Sequence, residues 1–490
     1  MRWNPIPQTV RNLQLDFALR ILCDETIQVS PSRYNLTSEN PETGELLVFN
    51  SMRGSSAIIA PSAKDEALAL LAGGQTENVE MLSTFSRLGF LIDDQVDEVA
   101  MLKSRKKAGI HDTNRIDVIL MPNMDCSFAC PYCYETHDAR NRMSPETRTS
   151  ILNWMRVAIP GRKVMKLTWF GGEPLLSADD VVDVTRIIQH ICDEHQVILV
   201  RSITTNGYHL SESLIPRLIE VGLLNYQITV DGPPAIHNQT RILRSGKGSF
   251  DRVFRNILLL ARADPRVRIS LRVNFNHRNI DSIPELLGLF PEDVRKQLRI
   301  VFEPIFGSGE WSATDNLSAK AISDTIGEFY LMAAELGYDV QHGGMGVGKL
   351  VYCYAERENQ FIIDYKGDVF KCSVGSFSAD ERVGVIRPDG TLEHEPGKWG
   401  EWNSLPEFDE PCEDCVFLPL CMGGCRKDRL KNRQTGSYCS LVATNTSYAL
   451  KSVAFGTFNE ILRNESKILR KCAEGRQSAS GCNTCNQIKQ

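Results

Sequence analysis

Short apolar runs rich in β-branched residues recur through the middle of the chain, at 116–121, 165–170, 197–204, 226–230, 267–274 and 299–304. Each is bounded by polar or turn residues, the pattern of strands. Amphipathic segments separate them. One opens at Ser144-Pro145-Glu146, a serine N-cap followed by proline at the first helical position. Another, over 179–195, puts Val181, Val184, Ile188, Ile191 and Cys192 on one face, which makes Cys192 a core residue rather than a ligand. Strands alternating with helices predict an α/β fold with a parallel sheet and right-handed crossovers. Alternation alone fits a doubly wound sheet as well as a barrel.

Residues 1–110 follow another pattern. Two strand-like runs flank Asn40-Pro41-Glu42-Thr43-Gly44 and predict a hairpin over Tyr34–Phe49. Helical periodicity follows at 64–72 and 78–89, with a Gly73-Gly74 turn between. The charged stretch 95–109 reads as a solvated helix or linker. Beyond the strand–helix region, 311–350 reads as a bridging helical segment, 446–470 as a terminal helix, and 473–490 as a polar flexible tail.

Composition narrows the class. The 490 residues suit about three domains, taking roughly 100–200 residues for each. A net charge of −6 argues against non-specific nucleic-acid binding, which needs a basic surface. No apolar run suits a membrane span or the h-region of a secretion signal, so a cytoplasmic location is expected. In a reducing compartment, fifteen cysteines point to metal or catalytic chemistry rather than disulfides.

Three cysteines spaced Cys126-x3-Cys130-x2-Cys133 carry the strongest chemical signal. Three thiolates on one loop hold three irons of a cubane cluster and leave the fourth without a protein ligand. The competing reading is a zinc knuckle completed by His111 or His137. Tyr132 and Tyr134 surround the third cysteine. Gly171-Gly172-Glu173-Pro174 follows the second strand, Thr204-Thr205-Asn206-Gly207 the third and Val230-Asp231-Gly232 the fourth, and the fifth carries Arg272 and Asn274. Together these resemble the radical S-adenosylmethionine (radical SAM) enzymes. The resemblance implies a partial (β/α)6 barrel whose Cys126, Cys130 and Cys133 hold a 4Fe–4S cluster. It implies that the open iron chelates SAM, which an electron cleaves to a 5′-deoxyadenosyl radical, with flavodoxin or ferredoxin as the external donor. It further implies a SAM cavity formed by Tyr132, Gly171, Gly172, Glu173, Pro174, Thr204, Asn206, Asp231, Arg272 and Asn274, with Glu173 accepting from the methionine ammonium. Arg272 reads equally as an ion-pair partner, and Asp231-Gly232 as turn chemistry.

A second set runs Cys353-x13-Gly367-x4-Cys372, then Cys412-x2-Cys415-x5-Cys421-x3-Cys425, then Cys439. It resembles the SPASM domain, which implies two auxiliary iron–sulfur clusters. Cys353, Cys372 and Cys425 would hold the first, and Cys412, Cys415, Cys421 and Cys439 the second. An eighth cysteine found shortly before the first in some SPASM enzymes is missing here, which leaves one iron for a substrate thiolate, Cys482, Cys485 or His342. Cys482-x2-Cys485 reads as a spectator on the tail, and Cys23 and Cys472 belong to no motif. The amino-terminal strands and helices are similar to winged-helix elements that bind the leader of a ribosomal precursor peptide by adding a strand. A structural cap is the alternative.

The expected division is 1–110 leader binding, 111–310 barrel, 311–350 bridge, 351–445 SPASM and 446–490 helix and tail. The expected activity is maturation of a ribosomal precursor peptide by an oxidative crosslink, a thioether above all. Carbon–carbon or carbon–oxygen crosslinking, epimerisation and backbone excision are the near alternatives. Formylglycine formation is another, although Ser373 stands where sulfatase maturases place an aspartate. A non-catalytic cluster carrier is the alternative of a different class.

Overall fold

The computed structural model describes residues 28–432 apart from 40–42, 136, 138–140, 306–327, 331, 334 and 341–347. Cys23, His342, Cys439, Cys472, Cys482, Cys485, the helix expected at 446–470, the tail and most of 311–350 therefore lie outside the described residues.

The amino-terminal unit is built from short strands. β1 (Val29–Pro31) pairs antiparallel with β5 (Leu91–Asp93). β2 (Asn35–Glu39), β3 (Leu46–Asn50) and β4 (Ser56–Ile59) form an antiparallel sheet, and β2 and β3 are the expected hairpin, in register from Asn35↔Asn50 to Glu39↔Leu46. Helices Lys64–Leu71 and Val79–Leu88 close it over a core of Leu46, Val48, Leu70, Phe85 and Phe90. The second helix is capped by Asn78 and ends at left-handed Gly89 (φ 75°), a backbone state glycine enters without steric cost.

The six predicted strands all form. They are β6 (Arg115–Leu120), β7 (Val164–Trp169), β8 (Ile198–Thr205), β9 (Asn225–Thr229), β10 (Arg268–Phe275) and β11 (Leu298–Pro304). They run parallel, each beside the next in sequence. Val181, Val184, Ile188, Ile191 and Cys192 of helix Ala178–Glu194 are all buried against this sheet, as their spacing predicts. Each such aliphatic side chain contributes about 1.5–3 kcal/mol. Trp169 is fully buried and its Nε1 donates to Thr185 Oγ1 at 2.9 Å, so the indole leaves no orphaned donor. Ser144 caps helix Pro145–Ala158 by accepting from Thr147 N at 3.1 Å.

The sheet does not stop at β6. β12 (Gln360–Ile363), from the cysteine-rich region, pairs parallel with β6 from Gln360↔Asp117 to Ile363↔Leu120. β13 (Asp368–Phe370), β14 (Gly384–Ile386) and β15 (Leu392–His394) continue antiparallel, making ten strands in one sheet. Alternation of strands and helices did not foretell this extension, because β12 is reached by a long excursion of the chain.

The stretch 95–109 is corrected. It is a helix, Glu98–Ile110, but not a solvated one: Glu98, Val99, Leu102, Lys106 and Ile110 are buried. Glu98 accepts from Ser32 Oγ at 2.7 Å and from Arg33 N at 3.0 Å. Lys106 Nζ lies 2.9 Å from Glu356 Oε1 and donates to Met422 O at 2.6 Å. Its charges are the joint between the amino-terminal unit and the cysteine-rich region. Tyr34, Met52, Leu102, Phe408, Leu418 and Met422 form the apolar part of the same joint. Among the described residues, no helix is long and apolar enough to cross a membrane.

Candidate active site

The loop that follows β6 carries Cys126, Cys130 and Cys133 and lies directly on the loop after β7. A Cβ on Gly171 would sit 2.4 Å from Asn123 O, and one on Gly172 would sit 2.3 Å from Asp125 O. Only glycines allow this approach, and Gly171 also has φ 109°. Glu173 N donates to Asp125 O at 2.7 Å, and Asn123 Nδ2 donates back to Glu173 O at 3.1 Å. Pro174 opens the 3-10 turn Pro174–Ser177.

Glu173 is fully buried. One carboxylate oxygen accepts from Leu175 N at 2.9 Å and Thr205 Oγ1 at 2.7 Å, and the other from Asn206 N at 2.7 Å. Its carboxylate thus clamps the end of β8 to the end of β7, with protein donors where the resemblance places a ligand ammonium. Thr205, absent from the sequence-derived set, makes this bond, whereas Thr204 lines the barrel interior. Asn206 Nδ2 reaches Ser127 Oγ at 3.4 Å and Cys126 Sγ at 3.9 Å.

Tyr132, Asp231, Arg272 and Asn274 form one network. The Tyr132 hydroxyl donates to Asp231 Oδ2. Asn274 N donates to Asp231 Oδ1 at 3.1 Å, Asn274 Nδ2 to Tyr132 OH at 3.3 Å, and Arg272 Nε to Asn274 Oδ1 at 2.8 Å. Asp231 is therefore a buried acceptor joining the ends of β9 and β10 rather than simple turn chemistry, and Arg272 is a hydrogen-bonding neighbour of Asn274. Arg241 belongs here too, although no motif pointed to it. Its guanidinium lies 5.1 Å over the Phe128 ring. Burial alone would lower its pKa, but Cys130, Tyr132 and Asp231 around it hold it well above the ordinary value.

Residues 122–290 match the radical SAM superfamily. This chain carries a radical SAM domain. It is 23% identical over 358 residues to a cysteine-type anaerobic sulfatase-maturating enzyme of Clostridium novyi, spanning 66% of this chain and 91% of that one. It is 24% identical over 325 residues to the mycofactocin maturase MftC of Mycobacterium tuberculosis, spanning 61% and 75%. The structure of native anSMEcpe with bound AdoMet shares the fold, with TM-score 0.56 and 19% identity over 72% of this chain and all of that one.

Radical SAM chemistry calls for SAM and a 4Fe–4S cluster, and the triad's surroundings fit a cluster. Burial pushes the Cys126 thiol up to about 12 and the Cys133 thiol up to about 11, and raises Cys130 as well. Such thiols ionise when a cation takes the place of the proton. Beside them, the Glu135 carboxyl is tucked inward, is pushed up to about 7 by burial and by Glu173, and leaves Oε1 without a hydrogen-bond partner. Of the two histidines a zinc knuckle could use, His137 Nε2 lies 3.3 Å from Cys133 Sγ, and Cys133, Glu135 and His137 offer ligand atoms within 4.8 Å of one another. His111 instead pairs with Glu358 at 2.9 Å.

In the second cysteine set, Cys353, Cys372 and Cys425 come together. Burial pushes Cys353 up to about 12, and Cys425 and Cys372 add to the rise. Cys425 goes up to about 11 by burial, with Asp428 and Cys372 contributing. Cys412 and Cys421 lie on the short helices Glu410–Glu413 and Leu418–Cys421, with Cys415 between them and its N donating to Cys412 O at 3.0 Å. Left-handed Met422, Gly423 and Gly424 then turn the chain toward Cys425. Tyr352 lies beside Cys421, Cys425 and Cys353, between the two groups. The Ser373 hydroxyl pairs with the Tyr354 hydroxyl.

Proposed function

We propose that the protein is a radical SAM maturase that acts on a ribosomal precursor peptide. The observation that carries this reading is the convergence of the Cys126–Cys130–Cys133 loop, the Gly171-Gly172-Glu173 clamp and the ends of β8, β9 and β10 above one barrel interior. Cys126, Cys130 and Cys133 would hold the cluster, with SAM against Tyr132, Asn206, Asp231 and Asn274. When bound, the two supply a primary carbon radical that takes hydrogen from substrate. The chain's own residues do the rest. Arg241 offsets the negative charge of a Cys130 thiolate and of Asp231, beside the neutral Tyr132 hydroxyl. Glu173 fixes the relation of β7 to β8, and Phe128, fully buried, keeps water from the back of the triad.

Cys353, Cys372 and Cys425 would hold one auxiliary cluster, and Cys412, Cys415, Cys421 and Cys439 another. Clusters of different ligation span roughly −700 to +450 mV, enough to carry the electron that an oxidised product must lose. A three-cysteine first site favours a thioether, because an open iron is a natural place for a substrate thiolate. β4 is an edge of its sheet with Ile58 exposed, a surface on which a leader peptide can add a strand. Flavodoxin or ferredoxin would supply the electron.

A second reading, formylglycine formation on a sulfatase-type protein, draws on the sulfatase-maturating relatives. Against it, residue 373 is a serine whose hydroxyl is held by Tyr354, and so offers no carboxylate base. Reduced, cluster-loaded enzyme, SAM and the precursor peptide encoded beside its gene decide between them. A crosslink lowers the peptide mass by about 2 Da per bond, an oxidation by a cofactor-held radical. Unchanged peptide with 5′-deoxyadenosine released overturns the crosslink, and an aldehyde on a cysteine or serine establishes the second reading.

A further inference from the structure

Below the strand ends, the barrel interior holds a half-open cavity of about 250 Å³. Strand register arranges its wall in levels. Gln360, Asp117 and Lys166 stand side by side on β12, β6 and β7. Two residues further up, Thr168 and Ser202 share a hydrogen bond at 2.9 Å, and Thr204 stands two residues above Ser202 toward the SAM end.

The lower level is unusual in charge and in hydrogen bonding. The Asp117 carboxylate is already taken by Arg115 at 2.6 Å, with Arg357 at 3.9 Å. Lys166 is attracted by Asp117 alone and repelled by both Arg115 and Arg357. Asp112 lies 4.0 Å from Arg357 on its far side, so two carboxylates stand against three cations and Asp117 is the only one of them that attracts Lys166. Beside them, Gln360 is completely buried, and neither its Oε1 nor its Nε2 has a partner. A buried polar group left so costs about 1–3 kcal/mol, and sites of this kind are satisfied by what they bind.

We propose that this level is a carboxylate-binding subsite for the peptide substrate, in which Lys166 Nζ and Gln360 Nε2 donate to the two carboxylate oxygens. Gln360 Oε1 then accepts an N–H from the peptide backbone, a demand that free acetate or another simple anion does not meet. The anchor also sets a distance. Lys166 lies four strand positions below the level of Thr204, roughly 13 Å at about 3.3 Å per residue. An extended peptide held there places a residue about four positions from the carboxylate at the strand ends, where the radical is made. The carboxylate comes from the peptide's C-terminus or from an aspartate or glutamate side chain. The inference rests on the peptide-maturase reading for its occupant, and on no radical step.

The test is equilibrium binding to the full-length, cluster-loaded enzyme, read by fluorescence anisotropy. Three fluorescein-labelled hexapeptides serve as probes: hexaalanine with a free C-terminus, hexaalanine amide, and the amide with glutamate at the fifth position. At least one carboxylate peptide is expected to bind ten-fold or more tighter than the neutral amide, and which one it is identifies the source of the carboxylate. Lys166→Gln abolishes the preference, whereas Lys166→Arg and the exposed charge control Lys247→Gln keep it. Equal binding of all three peptides, no detectable binding of any, or a preference unchanged in Lys166→Gln overturns the subsite. SAM cleavage by the wild type is assayed separately. A carboxylate preference without 5′-deoxyadenosine contradicts only the radical reading, and 5′-deoxyadenosine without a preference contradicts only the subsite.

Discussion

Lys106 and Glu356 form an ion pair at 2.9 Å with both side chains completely buried, and it bridges the amino-terminal unit to the turn that begins at Cys353. Glu356 Oε2 also accepts from Tyr352 N at 2.9 Å, and the Lys106 ammonium lies 5.1 Å over the Phe408 ring. Burial lowers the lysine's pKa, and Glu356 works against that. Removing one partner leaves an uncompensated buried charge, typically at a cost of about 3–5 kcal/mol. Lys106→Met is therefore expected to lower the thermal midpoint markedly, and Lys106→Met with Glu356→Met to recover most of the loss. Thermal unfolding of the two variants checks this. A double variant as unstable as the single one contradicts the pairing.

Gly172 allows the triad loop to lie on the loop after β7, because a Cβ there would meet Asp125 O at 2.3 Å. That atom is backbone and cannot swing aside. Gly172→Ala is expected to move the triad loop and to lower the iron bound per chain after reconstitution, with the amino-terminal unit still folded. Iron and sulfide analysis beside circular dichroism measures both.

Arg241 places positive charge beside Cys130. Reducing a cluster adds negative charge, so a neighbouring cation favours the reduced form. Arg241→Gln is expected to shift the reduction potential of the triad cluster to more negative values, as followed by a redox titration of its paramagnetic signal. An unchanged potential contradicts the electrostatic role.

Asp364 accepts from Lys366 N at 2.8 Å and Asp368 N at 3.0 Å, yet burial pushes its carboxyl up to about 6. Its folded pKa lies above its unfolded value near 3.8, so the folded state binds the proton more tightly. Its contribution is therefore fully present below about pH 4 and is lost as pH rises through about 6. Asp364→Asn keeps the acceptor oxygen and removes the charge. It is expected to be more stable than the wild type at pH 7, by about 3 kcal/mol if the whole shift is realised, with the gain vanishing below about pH 4. Denaturant unfolding at both pH values tests the sign.

The strands of the barrel were legible because each carries β-branched and apolar residues on the face buried against the helices, so that β10 alternates Ile269, Leu271, Val273 and Phe275 with polar residues, while β6 runs apolar from Val118 to Leu120. The glycine pair at 171–172 was legible as a motif, and its reason is a pair of backbone contacts. Lys106 was not legible, since its partner lies 250 residues away and a charged run reads as solvated until that partner is known. The motif alone did not separate the roles of Thr204, which faces the barrel interior, and Thr205, which bonds Glu173, because alternate strand residues face opposite ways. Arg241 follows helix Pro234–Thr240 and carries no signal until the fold brings it to Cys130. The parallel pairing of β12 with β6, which closes the cavity with Gln360, depends on the same long-range contact.

The central claim is that Cys126, Cys130 and Cys133 hold a cluster that cleaves SAM. The most direct measurement is 5′-deoxyadenosine formed from SAM and dithionite by the reconstituted wild type and by the variant with all three cysteines replaced by alanine. The account predicts 5′-deoxyadenosine from the wild type and none from the triple variant, whose second cysteine set still binds iron. The same amount of 5′-deoxyadenosine from both proteins would contradict it.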